Sequence, residues 1–223
     1  MNKSVVVVDY GIGNLFSVCN ALRQIGAEPI LSSDPKIVMS AERIILPGVG
    51  AFSKAMENLR RFGLDDAIQQ FVLAERPFLG ICIGMQILMD HSSEFGSHKG
   101  LGLISGKVVS IQSLLPCKTS VRIPHIGWQL VEKQKNLKKS GSILNVLDRH
   151  FYFVHSFACA PSSVSDVIGT VHFGGADLCA AVAKKNMLGV QFHPERSGSN
   201  GLAFLRHFMD VRNTFLTPRS GPR

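Results

Sequence analysis

The amino-acid sequence predicts an α/β fold: a mixed, mostly parallel central sheet with helices on both faces and further antiparallel strands in its second half. Three observations lead there. Residues 5–9 are an almost unbroken β-branched run, the pattern of a strand buried on both faces. Strand-like and helix-like stretches alternate through the first half, as connections between parallel strands require. In the second half, helical periodicity gives way to a series of strand-like runs, with one amphipathic helix near the end.

Taken in order, the first strand covers 5–9. Asn14 caps a helix that reaches residue 25, and Gly26 ends it. A second strand, 28–32, is stopped by Asp34-Pro35. A third, 43–46, runs into Pro47-Gly48-Val49-Gly50. Helices are expected over 52–61 and 64–74, parted by Gly63, and a fourth strand over 78–81. Later strands are expected over 107–111, 120–123, 128–132, 151–157, 166–173, 178–184 and 187–192. The last two form a hairpin around Lys184-Lys185-Asn186. Residues 133–149 read as a mobile basic loop. Residues 200–214 make an amphipathic helix with Leu202, Leu205, Phe208 and Met209 on one face. The reading gives one domain over 1–213 and a frayed tail over 214–223.

Composition narrows the class. With 45% hydrophobic and 18% charged residues, the 223-residue chain can bury a large core. No apolar run reaches the roughly 18 residues of a membrane helix, and the N-terminal strand does not resemble a signal peptide. A soluble cytoplasmic protein with no membrane partner is expected. The five cysteines are scattered, which argues against a disulfide framework or a metal site. The net charge of +8 is spread along the chain, and the single Trp and two Tyr sit in no RNA-binding pattern. A solvated basic face is expected rather than a nucleic-acid partner. Gly11-Ile12-Gly13-Asn14-Leu15-Phe16 has Phe16 where a dinucleotide fingerprint needs its third glycine. A tight turn or contact surface fits it better, and no cofactor is expected.

Chemistry concentrates at Gly80-Ile81-Cys82-Ile83-Gly84. A nucleophile between two glycines, after an apolar strand and before a helix-like run, has the spacing of a nucleophile elbow. The helix start behind it offers free N–H groups and a positive dipole end, which favour a thiolate. A buried packing cysteine is the competing reading. His193-Pro194-Glu195 follows the last strand. A cysteine nucleophile needs a base that takes and returns its proton, and the base needs an orienting carboxylate. Here too a surface turn with an ordinary ion pair is the alternative. Together the two motifs point to a Cys82, His193, Glu195 triad.

The residues 80–86 and 190–195 resemble a class I (triad) glutamine amidotransferase. Asp9-Tyr10-Gly11-Ile12-Gly13-Asn14-Leu15, Leu46-Pro47-Gly48-Val49-Gly50-Ala51-Phe52, Pro124-His125-Ile126-Gly127-Trp128 and Tyr152-Phe153-Val154-His155-Ser156 narrow the resemblance. They are similar to the glutaminase subunit of imidazole glycerol phosphate synthase, from residue 3 to about residue 210. The resemblance implies hydrolysis of L-glutamine through a thioester on Cys82. It implies oxyanion donors at Ile83 and Val49, with Gly50 and Gln86 helping to hold substrate. It implies docking on a (β/α)8-barrel cyclase that receives ammonia, with Asn14, Trp128, Tyr152 and Arg196 facing the partner. His125 and His155 are read as structural. Phe16 and Gln129 depart from the subfamily pattern, where arginine and asparagine are usual. These departures keep in view a paralogue serving a cell-surface sugar (lipopolysaccharide) amidotransferase; a free-standing cysteine hydrolase or peptidase and a non-catalytic binding subunit are separate alternatives.

Overall fold

The computed structural model describes residues 4–117, 121–135, 139–212 and 214–218. The first half alternates as expected: β1 (Ser4–Val8), α1 (Leu15–Gln24), β2 (Glu28–Ser32), α2 (Pro35–Ser40), β3 (Ile44–Gly48), α3 (Phe52–Arg61), α4 (Leu64–Leu73), β4 (Phe78–Cys82) and the single turn α5 (Ile83–Gln86). The second half contains β5 (His91–Ser92), β6 (His98–Lys99), β7 (Gly106–Ser110), β8 (His125–Lys133), β9 (Lys139–Ser140), β10 (Arg149–His155), β11 (Phe157–Pro161), β12 (Val167–Phe173), β13 (Ala176–Lys184), β14 (Met187–Val190), α6 (Gly198–Asp210) and β15 (Thr217–Pro218).

Local chemistry explains the ends. Asn14 Oδ1 accepts from the Ser17 N–H at 3.3 Å and so starts α1. Gly26, at φ 78°, donates its N–H to the Arg23 carbonyl after the helix ends. Asp34 accepts from the Lys36 N–H at 2.8 Å, and Pro35 opens α2. Asp34-Pro35 therefore starts a helix instead of merely stopping a strand, because proline's fixed φ and missing N–H suit the first helical turn.

A nine-stranded sheet runs in the order β10-β8-β12-β13-β14-β4-β3-β1-β2. From β2 to β14 the neighbours are parallel. From β14 to β10 they are antiparallel. The expected hairpin joins β13 to β14, with Lys184 opposite Met187. β14 inserts beside β4, with Val190 opposite Ile81, while Gly48 of β3 lies opposite Cys82. This register brings the carboxyl ends of β3, β4 and β14 to one place, where open α/β sheets build their sites. Behind them, Phe151 stacks on Phe192 with ring centroids 4.0 Å apart, and Phe204 of α6 closes on both rings.

Several expectations are corrected. The stretch 151–157 is two strands: β10 ends at His155, and β11 joins a separate four-stranded sheet, β11-β7-β5-β6. Val121 to Ile123 form no strand, and Ser120 lies outside the described residues. β-branched residues there suggested extension, but Pro124 follows and cannot donate to a ladder. The segment 133–149 is anchored by buried Ile143, Leu144, Val146 and Leu147, with residues 136–138 outside the described set. On α6 the buried face is Gly201, Phe204, Leu205 and Phe208, while Leu202 and Met209 are only partly buried. Phe215 and Leu216 are buried and Thr217–Pro218 pairs with β9, so the chain past 213 is packed rather than frayed as far as 218.

Candidate active site

Cys82 ends β4 at φ 55° and ψ −109°, the left-handed region that a side chain rarely adopts. The elbow persists because its neighbours leave no other path. A Cβ on Gly80 would lie 2.3 Å from the Gly84 carbonyl oxygen, and one on Gly84 would lie 1.8 Å from the Leu46 carbonyl oxygen. Glycine at both positions lets the turn press against itself and against β3. Behind Cys82, α5 is only four residues long, so the expected dipole of a full helix is reduced to one turn. What remains is local. As the first residue of α5, Ile83 presents an N–H with no acceptor inside the helix.

A cavity of about 270 Å³ opens at this elbow. Six residues that the sequence singled out line it: Val49, Gly50, Cys82, Ile83, Gln86 and His193. Gly48 is pinned beneath them; a Cβ there would meet the Tyr10 hydroxyl at 2.5 Å and Ile83 Cβ at 2.8 Å. Tyr10 Oη donates to the Pro47 carbonyl at 2.8 Å, fixing the root of the loop. Val49 is 40% exposed, and Gly50 at φ 92° has open space around it, so the loop's tip is unpacked.

His193 is brought in by β14. Its Nδ1 shares a 2.8 Å hydrogen bond with Glu195 Oε1, and both side chains are almost fully buried. The carboxylate can only accept, so Nδ1 carries the proton and Nε2 is the atom left for chemistry. Nε2 and Glu195 Oε2 have no hydrogen-bond partner among the described residues. Burial lowers the His193 pKa, but the adjoining Cys82 and Glu195 side chains outweigh it and push it up to about 10. The short turn at residues 194–196 is held by Ser197, whose Oγ donates to the His193 carbonyl at 2.6 Å and accepts from the Tyr152 N–H at 2.9 Å.

Two polar residues escaped the sequence reading. Glu94 lines the cavity and is buried, and its Oε2 accepts from the Phe52 N–H at 2.6 Å, capping α3. No local pattern marks it. Gln191 is fully buried, accepts from Gln86 Nε2 at 3.0 Å and donates Nε2 to Cys82 Sγ at 3.5 Å. Its signal was an amide between Val190 and Phe192 in an otherwise apolar run. The structural reading of His125 and His155 fits their burial and their shared 3.0 Å hydrogen bond, although His155 also lines the cavity. Burial lowers their pKa values to about 4 and about 3.

Asn14, Trp128, Tyr152 and Arg196 do not line the cavity. Trp128 lies opposite Tyr152 across β8 and β10, and the Arg196 guanidinium sits 4.6 Å from the Tyr152 ring centre. Trp128 is 52% exposed, Ile126 of the same strand 58% and Phe16 of α1 74%. Asn14 is exposed, and its side chain serves α1 as a cap.

The family model for glutamine amidotransferase class-I matches residues 6–211. The chain belongs to the class-I glutamine amidotransferases. Its relatives in that family include the imidazole glycerol phosphate synthase subunit HisH of Sulfurimonas denitrificans, 42% identical over 94% of this chain and 99% of the relative. The subunit HisH 1 of Legionella pneumophila (strain Lens) is 43% identical over 94% of this chain and 100% of the relative. The HisH subunit of Rhodopirellula baltica is 42% identical over 92% and 96%. Among solved structures, PurLQS from Thermotoga maritima superposes with a TM-score of 0.71 at 20% identity, covering 94% of this chain and 99% of the other. That likeness concerns the fold. The amidotransferase fold here holds no helix, among the described residues, that is long and apolar enough to cross a membrane.

Proposed function

We propose that this chain is the glutaminase subunit of an imidazole glycerol phosphate synthase, releasing ammonia from L-glutamine for histidine biosynthesis. One observation carries the reading: the Cys82 elbow and His193, which Glu195 holds from behind, share a single cavity, in a chain that matches HisH subunits over nearly their whole length.

The geometry supports a specific course. The Cys82 thiolate attacks the side-chain amide carbon of glutamine. The carbonyl oxygen gains negative charge and takes a hydrogen bond from the Ile83 N–H, with the Val49 N–H as the second donor. His193 Nε2–H gives its proton to the amide nitrogen as the C–N bond breaks and ammonia leaves. A glutamyl thioester remains on Cys82. His193 then takes a proton from water, the hydroxide adds to the thioester, and glutamate departs as the thiolate reforms. Glu195 holds the imidazole throughout. Gln86 and Glu94 line the cavity and hold the substrate in this proposal, the Glu94 carboxylate facing its α-ammonium; Gly50 allows close backbone approach.

The partner in this proposal is a (β/α)8-barrel cyclase subunit, met by the exposed surface around Asn14, Trp128, Tyr152 and Arg196. The place of work is the cytoplasm, and the catalytic unit is a single domain. Ammonia release from glutamine, measured for the chain alone, with the cyclase, and with the cyclase plus its ligand, tests the whole. The proposal expects a low rate that rises strongly in the liganded complex and vanishes in Cys82→Ala. No binding to and no response from the cyclase would refute the assignment.

A further inference from the structure

The buried amides of Gln86 and Gln191 form a chain whose polarity has only one solution. The Phe157 carbonyl can only accept, so Gln86 must turn its NH2 group toward it, at 3.1 Å. That same Nε2 lies 3.0 Å from the Gln191 amide, which must therefore present oxygen. Gln191 is then left with its NH2 group facing Cys82 Sγ at 3.5 Å. One backbone carbonyl in β11 thus fixes the orientation of two side chains, and the second is an obligate donor to the sulfur.

We propose that Gln191 is a positioning residue for the nucleophile: its amide donates to the Cys82 thiolate, and Gln86 holds that amide in the donating orientation. This inference rests on Cys82 being the nucleophile and adds a residue to its machinery. An NH2 group stabilises a thiolate over a thiol, because only the anion is a strong acceptor. It also fixes the direction of a side chain whose backbone is already strained at φ 55°. Beside the adjoining His193, Gln191 gives the sulfur a donor held in a fixed direction before substrate arrives. Gln191 cannot swing away at low cost. It is fully buried, its N–H donates to the Ala180 carbonyl at 2.9 Å, and a released amide would leave unpaired groups in the core. The arrangement also gives Gln86 two tasks. Its side chain lines the substrate cavity, and its Nε2 sets the sulfur's donor, so the filling of one site bears on the other.

The titratable groups around Cys82 are His193 after β14, Tyr10 after β1 and Cys159 on β11. The test leaves all three in place. Alkylation of Cys82 by iodoacetamide is followed against pH, by mass spectrometry of the Cys82 peptide, in the full chain with its synthase partner. Gln191→Met keeps the volume and removes the donor. Its profile should move to higher pH, with alkylation at pH 7 slower by about 10- to 100-fold, the range for a hydrogen bond to a charged group. Glutamine turnover should lose kcat by a similar factor, with KM little changed. Gln191→Glu retains an acceptor for Gln86 but sets an oxygen against the sulfur, and should move the profile further the same way. Gln86→Leu, which does not touch the sulfur, should shift it in the same direction by a smaller amount. An unmoved profile in a folded Gln191→Met overturns the inference. If that variant does not fold, an unmoved profile in Gln191→Glu and Gln86→Leu does so. Ammonia release that persists in Cys82→Ala would instead overturn the proposed chemistry itself.

Discussion

Replacing Gly84 with alanine strikes the elbow where it has no slack. The added Cβ would lie 1.8 Å from the Leu46 carbonyl oxygen and 2.9 Å from its carbonyl carbon. Ordinary contact needs about 3.4 Å, so β3 and α5 must part by about 1.5 Å. Neither yields easily. Leu46 sits within the β3–β4 ladder opposite Gly80, and a Cβ on Gly80 would itself be 2.3 Å from the Gly84 oxygen. Overpacking of this kind costs about 1–3 kcal/mol. For a chain of this size each kcal/mol lowers Tm by about 2–4 °C. The functional effect should exceed the loss of stability. A shift of α5 carries the Ile83 N–H and Cys82 Sγ away from the reacting carbonyl, and a misplacement of about 1 Å can cost about 100-fold in rate. Gly50→Ala is the contrast. Nothing lies within 4 Å of its Cβ, so only the φ of 92° opposes it, at about 1–2 kcal/mol. Thermal unfolding and glutamine-dependent ammonia release, run on both variants with the synthase partner, read the two effects. A Gly84→Ala protein with unchanged Tm and turnover would refute the packing argument for the elbow.

Other predictions follow from the same geometry. Glu195→Gln removes the carboxylate that, with Cys82, raises the His193 pKa, so the alkaline limb of the activity profile should move to lower pH and kcat should fall about 10⁴-fold, as when a triad carboxylate becomes its amide. His125 and His155 have depressed pKa values, so the unfolded chain binds protons that the native core refuses as pH falls from about 6.5 toward 4. Stability present above 6.5 is lost through that window; His125→Phe, which suits the stack on Phe153 and Phe173, should flatten the urea midpoint's dependence on pH there. Tyr10→Phe leaves the Pro47 carbonyl without its 2.8 Å donor and should destabilise by about 1–3 kcal/mol in urea unfolding.

The parallel half of the sheet was legible because its signals are local. A β-branched run, a capping Asn14 and Gly26 each report the backbone around them. The elbow was legible because two glycines at fixed spacing do one mechanical job. His193 and Glu195 were legible because they lie two residues apart. What escaped depends on contacts between distant segments. Gln191 and Gln86 acquire their orientation from the Phe157 carbonyl, which belongs to another sheet. Glu94 caps a helix far from it in sequence. The run 151–157 reads as one strand because nothing in its apolar pattern marks Ser156 as the point where the chain changes sheets. The buried Phe215 and Leu216 were hidden by the polar, proline-containing residues that follow them.

The central claim is that Cys82 carries the glutamyl group. Rapid acid quench of the working complex with glutamine, followed by mass spectrometry of the Cys82 peptide, tests it most directly. The account predicts a glutamyl adduct on that peptide which forms at the rate of turnover and is absent from Cys82→Ala. Steady ammonia release with no adduct, undiminished in Cys82→Ala, would contradict it.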